Sequence, residues 1–215
     1  MWSHFHGDLL KQDVYYGGLR FGYEFLQPDA IYANTDVVAL LGATHSTVWG
    51  RTLNKEDGTK AWDRTKEVFK GKRGHLWTNV EQRIGYTFAS SLVPNATVSA
   101  YVAPGYHYEH VKGNQANWMY VATGLKTLQQ FTDTFQLGLD LKVMYAFAAH
   151  DKGMFTHPTT LGKKQFFGYE VGVPLSWTLG ACKTFDIQLK PYLLKQNMNS
   201  QETSLGARAE FGFKF

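Results

Sequence analysis

Cysteine is almost missing from this chain. Cys182 stands alone among 215 residues, so no internal disulfide can staple the fold, and it reads as a small residue in a turn. Charge is sparse as well, at 19% against the usual quarter. No run approaches the ~18 consecutive apolar residues that a transmembrane helix requires. No basic start leads into an apolar stretch, so an exported chain is expected here in mature form. Chemical signatures are missing too. No glycine-rich phosphate loop opens a helix, and neither CxxC nor HExxH spacing occurs. No aromatic-basic platform supports nucleic-acid binding. Neither a cofactor, a metal nor a nucleic-acid partner is expected. What the chain has in quantity is aromatic residues, at 15%, and 21 glycines. Its mean hydropathy is slightly negative. That average taken alone indicates solubility, but it is blind to strands that place apolar residues at every second position.

Such alternation runs through the chain. In residues 203–215, Leu205, Ala207, Ala209, Phe211, Phe213 and Phe215 share one face of an extended strand. Ser204, Gly206, Arg208, Glu210, Gly212 and Lys214 share the other. Residues 13–27 set Tyr15, Leu19, Phe21, Tyr23 and Phe25 against Gly18, Arg20, Gly22 and Glu24. In residues 133–150, Phe135, Leu137, Leu139, Leu141, Val143, Tyr145 and Phe147 oppose Gln136, Gly138, Asp140 and Lys142. Residues 75–90, 95–111, 164–179 and 183–196 repeat the pattern. Residues 30–46 and 117–129 do so more weakly, because both of their faces carry apolar side chains. These are nine strand candidates, and residues 1–7 make a tenth as a short first strand, with an arm inside the lumen as the alternative. Pro104, Pro174 and Pro191 fall inside candidates, where each removes a ladder donor, so a bulge or a shorter strand is expected at each.

A strand with a purely apolar face, a face of glycines and charges, and a terminal phenylalanine resembles the closing strand of a bacterial outer-membrane β-barrel. The resemblance implies an all-β, closed antiparallel up-and-down transmembrane β-barrel of about ten strands (eight to ten), forming one domain over residues 1–215. It further implies the bacterial outer membrane as location, the barrel-assembly machinery and lipopolysaccharide as partners, and a monomer. Short links at 27–29, 91–94, 130–132 and 180–182 would be periplasmic. Longer ones at 47–74, 112–116, 151–163 and 197–202 would be extracellular. Phe25, Trp77, Phe88, Tyr106, Trp118 and Trp177 are placed as interfacial girdles. A soluble barrel of the lipocalin type alternates equally well. Mixed-sign pairs interleaved with glycine on the polar face favour a narrow wet interior instead.

Three groups of residues are candidates for function. Turning the polar faces inward lines a lumen with Arg20, Glu24, Glu81, Arg83, Tyr101, Lys126, Asp140, Lys142, Glu170, Asp186, Lys190, Arg208 and Glu210. The two signs nearly cancel, which fits a plugged interior as well as a low-conductance pore. The basic segment 47–74 carries Arg51, Lys55, Lys60, Arg64, Lys66, Lys70, Lys72 and Arg73, and is read as an extracellular loop gripping lipopolysaccharide phosphates or simply solvated. Trp62, Lys66 and Phe69 within it are spaced for a short helix. Finally, His45, His75, His107, His110, His150 and His157 fall near one rim, joined by His4 and His6 if the first strand exists. His107 and Glu109 are weak candidates for a general base of a hydrolase or lipid-modifying enzyme. No enzyme motif matches them residue by residue. The leading expectation is therefore a narrow passive pore or a structural, surface-interacting barrel rather than an enzyme.

Overall fold

The computed structural model describes residues 2–6, 10–54, 60–89, 94–111, 114–153, 165–179, 185–197 and 201–213. All regular structure in it is extended. The segments are β1 (Trp2–His6), β2 (Leu10–Phe25), β3 (Ala30–Asn54), β4 (Lys60–Ala89), β5 (Ala96–Val111), β6 (Asn114–Thr132), β7 (Phe135–Gly153), β8 (Phe166–Gly172), β9 (Leu175–Leu179), β10 (Phe185–Asn197) and β11 (Gln201–Phe213). They form one antiparallel up-and-down sheet in which chain neighbours pair.

The segments amount to ten strands, because β8 and β9 are one strand with a break. Against β7 the pairs Asp140↔Gly172 and Leu137↔Leu175 keep one register, and against β10 so do Tyr192↔Gly172 and Leu189↔Leu175. The break falls where two residues without an N–H, Pro174 and Pro191, sit on adjacent strands. The Val173 N–H still donates to the Pro191 carbonyl at 3.0 Å, and the Gly138 N–H to that of Pro174 at 2.8 Å. Pro104 acts more mildly. The β4–β5 ladder skips Gln82 and Arg83 and resumes at Ile84↔Val102 in unchanged register, with no bulge.

The first segment is a strand, not an arm. β1 pairs with both β2 and β11, which links the last strand back to the first. It is too short to do so along their whole length. Residues 16–25 of β2 and 208–213 of β11 have no partner on their facing edges among the described residues. The pairing gives one antiparallel up-and-down sheet of ten strands, in which β1 lies against both β2 and β11 from His6 to Trp2.

At the opposite end β3 and β4 run on. Their pairing extends to Asn54↔Lys60, while β2 stops at Leu10↔Val48 and β5 at Val111↔His75. A two-stranded ribbon therefore projects beyond the rest, twisted by register shifts between Val48 and Arg51. This corrects two expectations for residues 47–74. The helix suggested by Trp62, Lys66 and Phe69 is a strand, and the long loop is mostly paired backbone, leaving residues 55–59 as the connection. A cross-strand partner rich in β-branched and aromatic residues (Thr47, Val48, Trp49, Thr52) overrides a three-residue spacing. Links do not alternate in length as expected, either. Only two residues separate β5 from β6, as between β6 and β7, and the asymmetry between the ends resides in the overhang of β3 and β4.

Burial is inverted relative to a water-soluble domain. Glu81, Asp140, Lys142 and Lys190 are all at most 8% exposed, whereas Leu19, Phe21, Leu41 and Phe211 are at least 65% exposed. The weakly alternating strands explain themselves. β3 shows Ile31, Val37 and Leu41 outward while Tyr32, Val38 and Leu40 are buried; β6 shows Met119 and Val121 outward and buries Trp118, Tyr120 and Ala122. Their second apolar face builds the interior clusters. Trp118 and Trp77 pack in those clusters, so neither belongs to an outer girdle as expected; Phe88 and Tyr106 do face outward.

Candidate functional site: an ion-paired interior

Glycine opposite a long side chain sets up the interior. Gly105 on β5 pairs with Tyr120 on β6, and a Cβ on Gly105 would lie 2.2 Å from the Tyr120 ring. The bare backbone lets that ring lie flat across β5 and reach β4, where its hydroxyl donates to Glu81 Oε2 at 2.7 Å. Gly42 plays the same part nearer the rim. It lies between Tyr16 and His75 on neighbouring strands, and Tyr16 crosses it to place its hydroxyl 2.9 Å from His75 Nδ1.

These tyrosines frame a closed circuit of charges from four strands. Arg83 Nε bonds Glu81 Oε1 at 2.6 Å. Glu81 Oε2 accepts from Lys142 Nζ at 3.0 Å, which is 2.9 Å from Glu170 Oε2. Glu170 Oε1 meets Lys190 Nζ at 3.3 Å, and Lys190 meets Asp140 Oδ2 at 2.9 Å. Asp140 returns to Arg83 NH1 at 3.1 Å. Cations and carboxylates alternate round the circuit, and its net charge is zero. Tyr101 caps it, donating to Asp140 Oδ1 at 3.0 Å, while the Arg83 guanidinium lies 4.6 Å from the Tyr101 ring centre. Every charge in the circuit has two opposite partners, the condition under which buried ions are tolerated.

Towards the Phe213 end, the remaining charges pair similarly. Arg20 bonds Asp36 Oδ1 at 2.6 Å and also Glu210 across the free edges, with Arg208 3.4 Å from Glu210. Lys126 on β6 pairs with Glu24 on β2, which also accepts from the Tyr32 hydroxyl at 2.9 Å. Asp186 accepts from Thr178 at 2.7 Å. Between these groups lies a cavity of about 390 Å³. Of the thirteen residues expected to line the interior, twelve border this cavity, and Tyr101 stands behind Asp140. Asp36, Asn79, Tyr32 and Tyr120 belong to the same networks. Alternation puts Asn79 on the polar face with Glu81 and Arg83, but only the register shows which tyrosine crosses which glycine.

At the rim, Glu109 gathers two histidines. Its Oε1 lies 2.6 Å from His75 Nε2, and its Oε2 lies 3.7 Å from His107 Nε2, too far for a hydrogen bond. Both His75 nitrogens are occupied, one by Tyr16 and one by Glu109. His107 stacks on Trp118 at 4.0 Å between ring centres, with Trp77 edge-on at 5.0 Å. A β-bulge in β7 lies opposite Trp118, with Ala148 at φ 51°. His107 Nε2 and Trp118 Nε1 have no hydrogen-bond partner. His110 and His150 point away, both exposed. No group of histidine, cysteine and carboxylate side chains among the described residues is arranged to hold a metal. His157 and Lys55 lie outside the described residues; Arg51, Lys60, Arg64, Lys66, Lys70, Lys72 and Arg73 belong to the backbone of the projecting ribbon.

No family model matches the chain, and none of the curated proteins matches it either. Function therefore has to be argued from the geometry.

Proposed function

We propose that this chain is a transmembrane β-barrel of the bacterial outer membrane whose lumen is closed by its own charges, and that it acts through what it presents at the ribbon end. The observation that carries the reading is the closed circuit Arg83–Glu81–Lys142–Glu170–Lys190–Asp140 inside an apolar-faced sheet. An exposed shell of Leu19, Phe21, Val121, Val143 and Phe211 suits lipid and not water. The cavity of about 390 Å³ is bordered by the paired charges themselves, with Lys142 and Lys190 reaching across it to Glu81, Glu170 and Asp140. A lumen crossed by paired charges with no surplus of either sign conducts poorly. This favours a structural or surface-interacting barrel over a passive pore.

The projecting ribbon then meets the outer leaflet. Between residues 50 and 74 eight cationic side chains stand against Glu56, Asp57, Asp63 and Glu67, a surplus of four. Lipopolysaccharide phosphates are the partner that matches such a surplus at that height. Hydrolysis by a rim histidine has less support: both His75 nitrogens are taken by Tyr16 and Glu109, and the His107 ring is packed between Trp118 and Trp77.

Lipid contact is tested with a fluorophore on single cysteines replacing Val143 or Lys142, in a Cys182→Ala background. Quenching by brominated acyl chains at position 143 and none at 142 is the expected result. Equal quenching at both positions would show that the faces are assigned wrongly.

A further inference from the structure

Two buried ring nitrogens at the ribbon end of the cavity have no partner. Along β5, His107 lies two residues beyond Gly105, level with Asn79 on β4 and Trp118 on β6; Glu109 lies two further on, level with Trp77. Residues directly opposite share a face, and Trp77, His107, Glu109 and Trp118 all border the cavity. His107 is 5% exposed and Trp118 2%, yet neither His107 Nε2 nor Trp118 Nε1 makes a hydrogen bond. A buried indole N–H usually finds an acceptor, and polar groups taken from water without a partner destabilise the fold. The packing holds both rings in place. They stack on each other, with Phe166 edge-on to Trp118 at 5.4 Å and Trp77 edge-on to His107. Glu109 Oε2 stops 3.7 Å from His107 Nε2, and Oε1 is taken by His75.

The chemistry of these groups selects an occupant. Trp118 Nε1 only donates, so the occupant must accept there. Glu109 accepts, so the occupant must donate there, and His107 Nε2 serves either way according to its tautomer. An anion is opposed by Glu109. An ammonium offers the indole no acceptor. A hydroxyl meets all three. The walls add a second requirement, because Trp77, Trp118, Met144 and Leu194 present apolar surface to the same cavity. Water satisfies the polar atoms but leaves that surface wet; a molecule with C–H faces between its hydroxyls covers it. We propose that the ribbon end of the cavity binds a neutral polyhydroxylated ring, one monosaccharide unit, with hydroxyls on Trp118 Nε1, His107 Nε2 and Glu109 and a C–H face against the tryptophans. The proposal goes beyond the closed-lumen reading and stands without it, since the site lies on the ribbon side of the charge circuit.

The test uses the refolded full chain in micelles of a zwitterionic detergent that carries no sugar. The probes are D-glucose, D-galactose, D-mannose and N-acetyl-D-glucosamine, with inorganic phosphate and tetramethylammonium as ionic controls. The readout is the indole N–H signal of Trp118 in heteronuclear NMR, assigned among the six tryptophans by its loss in Trp118→Phe. A saturable shift of that signal with at least one sugar, and with neither ion, is the expected result. Cross-relaxation between the sugar's ring protons and the Trp118 indole proton should place the contact in the native chain, without any variant. In equilibrium dialysis the Kd for that sugar should rise at least about tenfold in Trp118→Phe and in His107→Phe, each checked for native unboiled mobility. Affinity kept by the methyl glycoside would mark the terminal unit of a longer chain as the ligand, and affinity lost would mark the free sugar. A Trp118 signal that no sugar moves, while it cross-relaxes with water, would show a site filled by water only and overturn the proposal. So would an equal shift with either ion, or unchanged affinity in both folded variants.

Discussion

At the scale of single residues, the interior depends on pairs of unlike kind: a glycine with the tyrosine that crosses it, and an acid with its two bases. Asp140→Ala removes one carboxylate and leaves both Arg83 and Lys190 short of a partner in a buried site. Breaking a buried ion network from one side costs about 3–5 kcal/mol. That loss should appear in reversible urea unfolding from lipid vesicles. Gly105→Ala adds a methyl group 2.2 Å from the Tyr120 ring, displacing it from Glu81. Overpacking of this kind costs about 1–3 kcal/mol. Adding Tyr120→Ala should then recover part of the loss, because two residues in contact do not act additively. Additive losses would show that Gly105 is not there for the tyrosine. These pairings were only half legible in the sequence. The inward set of charges could be read from the two-residue period of residues 133–150 and 203–215. Who bonds whom could not, since Glu81 and Lys142 are joined only by the curl of the sheet.

At the scale of elements, strand alternation was readable wherever one face was wholly apolar, as in β7 and β11. It blurred in β3 and β6, where Val38, Leu40, Trp118 and Tyr120 turn a second apolar face into the interior. The ribbon reads as a loop with a helix in local spacing because Trp62 and Phe69 pair with Thr52 and Val48, beyond the reach of a three-residue period, and that pairing determines its conformation. Its length matters for attachment. Deleting residues 50–66 and joining Trp49 to Glu67 through a tight turn removes five of the eight cations and should leave the sheet intact, as judged by unboiled mobility on a gel. The same deletion should reduce binding to lipopolysaccharide-containing vesicles, and the difference from the full chain should fade as salt rises from 0.05 to ~0.5 M, where the screening length falls to a few ångströms. Unchanged binding by the shortened protein would remove the ribbon as the contact. The short β1 is the other element that periodicity could not size: its first residues show the pattern, but only the register shows how little of β2 they cover.

At the scale of the whole molecule, two surfaces exchange their usual roles: charge is collected inside and bulk apolar area is turned outward. Under the proposed function, this arrangement suits the sheet to a bilayer, with the charge circuit closing its lumen. The most direct test is single-channel recording in a planar bilayer, on protein whose unboiled band runs ahead of the boiled one. The native chain should be silent, and discrete steps should appear once Lys142→Ala and Asp140→Ala together open the circuit. Reproducible ohmic steps from the native chain would contradict the closed-lumen reading.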